Sequence, residues 1–157
     1  MTVAVVRRLL AVLIAGIVMV GCQSSEPTGE QAATGIENAR LRTDREPIQK
    51  RFPQLGAFSE VHWLGGRLGD DRAPGPSTYI IEAAVTLTPT DAAALRERYP
   101  FRTSSEPQPP EPLSGHLTGD GWTASPELDS ALASSEWVAR VYLRPDAPIA
   151  YLTAKGS

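Results

Sequence analysis

The 157-residue chain contains one cysteine, two histidines and two lysines. A single thiol excludes an intrachain disulfide, so a secreted domain built from this sequence must be held by its core. His62 and His116 are the only imidazoles, too few with one cysteine for an ordinary zinc site. No apolar run reaches the roughly 20 residues needed to span a bilayer; the run from Leu9 to Val20 has twelve. No Gly-x-Ser-x-Gly element occurs, so a serine hydrolase has no visible nucleophile. The stretch "GGRLGDDR" has glycines but lacks the Gly-Lys-Ser/Thr of a phosphate loop.

The N-terminus has a definite layout. Arg7-Arg8 precedes the apolar run, and Gly21-Cys22 then opens a polar stretch, which is the order of a secretory signal. An ordinary cleavage site wants small residues at the last and third-last positions, and Met19 is not small. "MVGC", Met19 to Cys22, instead resembles the lipobox of bacterial lipoproteins, with Met19 where leucine is usual. The resemblance implies cleavage between Gly21 and Cys22 and a diacylglyceryl thioether on the Cys22 thiol. Two acyl chains hold a protein on a membrane stably where one does not. The implied address is the extracytoplasmic face of the cell membrane. Thirteen of the 15 basic residues are arginine, a bias of GC-rich genomes, so an actinobacterial lipoprotein is the kind this chain resembles.

Residues 1–21 hold two arginines and no acid, so 13 basic residues then face 18 acidic ones. A net charge of −5 excludes the basic footprint of a nucleic-acid binder. Residues 22–35 read as the lipidated N-terminus and a tether without large apolar side chains. The tether would hold the domain about 20 Å from the bilayer, and at most ~45 Å when taut. Residues 36–157 are long enough for one domain with its own core.

Within that domain, "TDREPIQKRFPQL" predicts a short helix capped by Asp44 and stopped by Pro53. "AFSEVHWL" predicts a strand with Val61 and Trp63 on one face and Glu60 and His62 on the other. "TYIIEAAVTL" predicts its partner, with Tyr79, Ile81, Ala83, Val85 and Leu87 on one face. Thr88, Pro89 and Asp91 carry helix-start chemistry, and Ser125-Pro126 repeats it. "EWVARVYL" and "APIAYLTA", joined by "RPD", predict a second hairpin. The expected fold is α+β: one small domain with an antiparallel sheet of about four strands, in two hairpins, and two to three short helices. A Pro-rich loop is expected at about 101–121.

Candidate sites are few. His116 and Asp120 lie in the long loop, and Asp70 and Asp71 in the other glycine-rich connection are the candidates to join them. Neither loop has the alternating acids of a calcium motif, and no metal or cofactor is implied. His62 reads as a half-exposed strand histidine. Arg40, Arg42, Arg45, Lys50 and Arg51 make the membrane-proximal end basic, a pattern that can orient a domain on anionic lipid. "EPQPPEP" is stiff enough to present a binding segment. The expected role is a binding or protein-interaction module, with the membrane as one partner through Cys22 and an envelope protein as a second. The alternative is a cell-envelope enzyme using a His/carboxylate site in the long loops. Intact-mass measurement of the membrane fraction is expected to show a mature chain beginning at Cys22 with diacylglyceryl mass, and Cys22→Ser to lack it. A mature chain that begins elsewhere, or carries no acyl mass, overturns the lipobox reading.

Overall fold

The computed structural model describes Ile36, residues 39–68 and residues 78–157. The expected signal peptide at 1–21 and the expected lipidated Cys22 and tether at 22–35 lie outside the described residues. Among the described residues six strands form one antiparallel sheet: β1 (Phe58–Leu68), β2 (Thr78–Leu87), β3 (Arg102–Ser104), β4 (Trp122–Ala124), β5 (Trp137–Leu143) and β6 (Ile149–Gly156). Their spatial order is β1-β2-β6-β5-β4-β3. Helices α1 (Glu46–Arg51), α2 (Pro89–Arg98), α3 (Glu111–Ser114) and α4 (Pro126–Leu132) complete the α+β architecture, with a 3-10 turn at Pro53–Leu55.

The two expected hairpins are the core of this sheet. β1 pairs with β2 and β5 with β6, and β2 pairs with β6 to join them. The strand count exceeds the expected four because β3 and β4 add to the β5 edge. Each is three residues long, too short to show a period-2 pattern against its surroundings. The segment expected as a Pro-rich loop therefore contains β3 and α3, and the helices also outnumber the expected two to three.

Alternation along the strands divides the apolar residues between two faces. One face carries Val61, Trp63, Ile81, Ala83, Val85, Val141 and Leu152, covered by Ile48 and Phe52 of the α1 region, Leu95 of α2 and Leu128 of α4. The second face carries Leu64, Ile80, Ala84 and Tyr151, covered by Ile36, Leu113 of α3, Leu117 and Trp122. The sheet is thus sandwiched between helices and a strap that runs from Glu106 to Gly121.

Local chemistry explains the starts of α2 and α4. The Thr88 hydroxyl accepts from the Asp91 amide at 3.1 Å, and that of Ser125 accepts from the Leu128 amide at 3.4 Å. The expected Asp44 cap is a correction. Arg45 is the N-cap of α1 and makes no side-chain cap bond. Asp44 is engaged elsewhere: its carboxylate accepts from Arg42 at 3.0 and 3.1 Å, and its carbonyl accepts from Trp63 Nε1 at 3.0 Å. Beyond the reach of β4, Asp129 of α4 satisfies the edge of β5 by accepting from the Val141 amide at 2.9 Å.

The strap is pinned by a buried cation. Arg144 is 3% exposed; Nη1 donates to the Gly121 carbonyl at 2.9 Å, and its guanidinium lies 5.3 Å from the Trp122 ring centre. Gly119 has φ +103°, and a Cβ there would sit 2.0 Å from Arg144 Nη2. Gly115, by contrast, has a right-handed helical backbone and open space around it. Urea unfolding of Gly119→Ala is expected to show a loss of about 1–3 kcal/mol or more, and Gly115→Ala to show no loss.

Candidate functional site

The second face of the sheet holds the two histidines. His62 projects from β1 on the face opposite Trp63, as its phase requires, with a side chain 15% exposed. The chain leaving α3 brings His116 onto it; the His116 amide donates to the Leu113 carbonyl at 3.0 Å. The two imidazoles stack with centroids 3.6 Å apart and planes 12° from parallel. Glu60 Oε1 lies 3.5 Å from His62 Nε2, an ion pair when that imidazole is protonated. Parallel rings point their nitrogen lone pairs along parallel planes, so the pair does not converge on one metal ion. Among the described residues no group of three His, Cys, Asp or Glu is arranged to hold one.

The expected His116–Asp120 grouping does not form. Asp120 is exposed in the turn between Gly119 and Gly121, where it makes no hydrogen bond or ion pair with the described residues. That turn is shaped by the Arg144 contact and not by His116. Asp70 and Asp71 lie outside the described residues. His116 therefore meets the other imidazole, 54 positions back in the chain, instead of a loop carboxylate.

A polar cluster that the sequence reading did not single out lies beside the histidines. Tyr151 of β6 donates its hydroxyl to the Glu82 carboxylate of β2, and its ring stacks on Tyr142 at 6.0 Å. Arg140 reaches Tyr142 Oη at 3.4 Å and Asp129 at 3.6 Å. Burial raises the Glu82 carboxyl above its usual range, against lowering by the Tyr151 hydrogen bond and by Lys155. Burial and the Glu82 bond together push the Tyr151 phenol up. The only sequence signal was an acid inside an otherwise apolar strand.

The first face has a different feature at the end of the sheet where β1 stops and β2 begins. An open cleft of about 1060 Å³ lies between α1 and the strands. Lys50 and Arg51 of α1 form one wall, and Arg67 and Tyr79 of the β1–β2 hairpin form the other. Two indoles lie against the backbone beneath. A Cβ on Gly65 would fall 2.9 Å from the Trp63 ring, and one on Gly156 would fall 2.8 Å from the Trp137 ring. Glycine at both positions is what allows the rings to lie flat. Each ring carries an arginine: Arg42 is 4.0 Å from the Trp63 centroid and Arg51 is 5.6 Å from that of Trp137. Phe52 meets Trp137 edge-on at 6.4 Å and fixes it from the core side.

Comparison of the chain with protein-family models, curated proteins and solved structures found no match. No helix among the described residues is long and apolar enough to cross a membrane.

The Glu82 shift has a definite consequence. A carboxyl raised in the folded state binds its proton more readily there than in the unfolded chain. Its contribution to stability therefore falls as pH rises from the unfolded value, about 4.3, through the folded one. Glu82→Gln keeps an acceptor for Tyr151 and removes the charge. Thermal unfolding is expected to show the variant more stable than the parent at pH 7, with the difference shrinking to nothing near pH 4.

Proposed function

We propose that this chain is a lipid-anchored binding module of the extracytoplasmic membrane face, and that the cleft between α1 and the β1–β2 end of the sheet takes its ligand. The cleft is the observation that carries the reading. Its volume of about 1060 Å³ matches the upper range of ligand sites. It combines aromatic rings with an excess of basic side chains, on a chain whose acids outnumber its bases. Aromatic surface supplies contact area at little conformational cost, and charged groups on fixed rings supply orientation. The anchor at Cys22 supports the membrane address through the lipobox resemblance, and an envelope protein docked on the module remains the second partner.

A specific observation favours the enzyme reading as the alternative. The His62–His116 stack with Glu60 beside it places two imidazoles and a carboxylate together. The 3.5 Å separation of Glu60 and His62 is longer than a hydrogen bond that orients a general base. The binding reading is preferred on that geometry.

A photoreactive side chain in place of Tyr79, illuminated in intact cells, is expected to give a stoichiometric adduct. The same group in place of Arg98 is expected to give none. His62→Ala is expected to leave the adduct unchanged. Equal adducts at both positions, or none at 79, overturn the cleft as the ligand site; loss of the adduct in His62→Ala moves the site to the second face.

A further inference from the structure

We infer that the end of the sheet bearing the cleft seats on an anionic lipid surface, with the lipid headgroup phosphates received between α1 and the β1–β2 hairpin. The inference deepens the reading of the cleft as the binding surface and does not require the lipid anchor. Among the described residues two large hydrophobic side chains are exposed, Tyr79 at 46% and Val138 at 72%. Register places them at the same end. Tyr79 and Trp137 both pair with Gly156, and Val138 pairs with Lys155. The two protruding apolar groups therefore flank one tip of the sheet, one on each face, with half-buried Trp137 beside them.

Charge coincides with them. The only lysines of the chain, Lys50 and Lys155, are both at this tip: Lys50 lines the cleft with Arg51 and Arg67, and Lys155 pairs with Val138 on the other face. Glu46 and Glu136 are the acidic side chains lining the same cleft, against Arg42, Lys50, Arg51 and Arg67, so basic side chains lead there while acidic ones lead over the chain as a whole. A phosphate-bearing surface is the partner that this arrangement complements. Ammonium and guanidinium groups meet the phosphates, and Tyr and Trp rings settle at the level of the headgroups. Insertion of the exposed Val138 between headgroups removes its apolar surface from water. A protein partner would need an acidic patch with an apolar centre and is the lesser match to a tip that carries its apolar groups on two faces.

The test uses residues 23–157, which contain all six strands and both apolar clusters but neither leader nor Cys22. Co-sedimentation is measured with phosphatidylcholine vesicles, and with vesicles in which roughly one lipid in three is phosphatidylglycerol. Binding is expected only to the anionic vesicles and is expected to weaken with salt. Replacing both lysines, Lys50→Glu with Lys155→Glu, is expected to lower it by at least about tenfold. Tyr79→Ser with Val138→Ser is expected to lower it without changing the salt dependence. Arg98→Glu with Arg102→Glu makes the same charge change on α2 and β3 and is expected to leave most of the binding in place. Unchanged thermal midpoints show that each variant folds. Equal binding to neutral vesicles, full binding by the lysine variant, or equal loss in the Arg98/Arg102 variant overturns the inference. A stoichiometric protein adduct at position 79 with no vesicle binding also overturns it, while leaving the cleft as the ligand site.

Discussion

The pairing of β2 with β6 is the constraint on which the rest of the structure depends. A lone two-stranded hairpin is marginally stable in water. Eight register pairs, from Tyr79↔Gly156 to Thr86↔Ile149, join the β1–β2 and β5–β6 hairpins into one sheet. That register decides both faces at once. It sets Ile81, Ala83 and Val85 beside Ala154, Leu152 and Ala150 toward the helices. It also brings Glu82 diagonally to Tyr151 on the opposite face. A slip of one residue would exchange the faces and bury charge under α1 and α2. The apolar alternation on both strands makes that exchange expensive.

Small residues then decide where the protein is open. At Gly65 and Gly156 the absence of a side chain lets an indole lie on the backbone, so the sheet end is lined without being filled. At Gly119 the same absence admits the guanidinium of Arg144 and ties the strap down. One end of the molecule is therefore a cleft with cation-bearing rings, and the other end is closed by buried arginine contacts. Arg96 of α2 closes it further by donating to the carbonyls of Arg144 and Ala147 in the β5–β6 turn, at 2.6 and 2.8 Å. The open cleft and the arginine-pinned contacts are separated along the strand axis.

Legibility in the sequence followed the length of each pattern. The alternation of Thr78–Leu87 marked β2 with both of its ends, and the caps at Thr88 and Ser125 marked two helices. β1 runs four residues past Leu64, because "GGRL" carries no hydrophobic alternation yet pairs fully with β2. β3 and β4 exist only because β5 offers an edge. Asp44 looked like a cap by position, but a nearby guanidinium and an indole N–H compete for the same residue. The phase of His62 was legible. The arrival of His116 over it was not, since no local pattern reports a contact across 54 residues.

The amino-acid sequence by itself determined the faces of β1 and β2, the two hairpins, the starts of α2 and α4 and the lipobox-like "MVGC" at Cys22. These rest on interactions within a few residues: period-2 alternation, side-chain capping, turn chemistry and a short linear motif. Only the tertiary structure decided the strand order, the stacking of the two histidines, the Glu82–Tyr151 bond and the cleft above Trp63 and Trp137. Each of those joins residues from separate elements. Their meeting is set by how the hairpins dock and by which glycines leave room, and neither quantity is local to any stretch of chain.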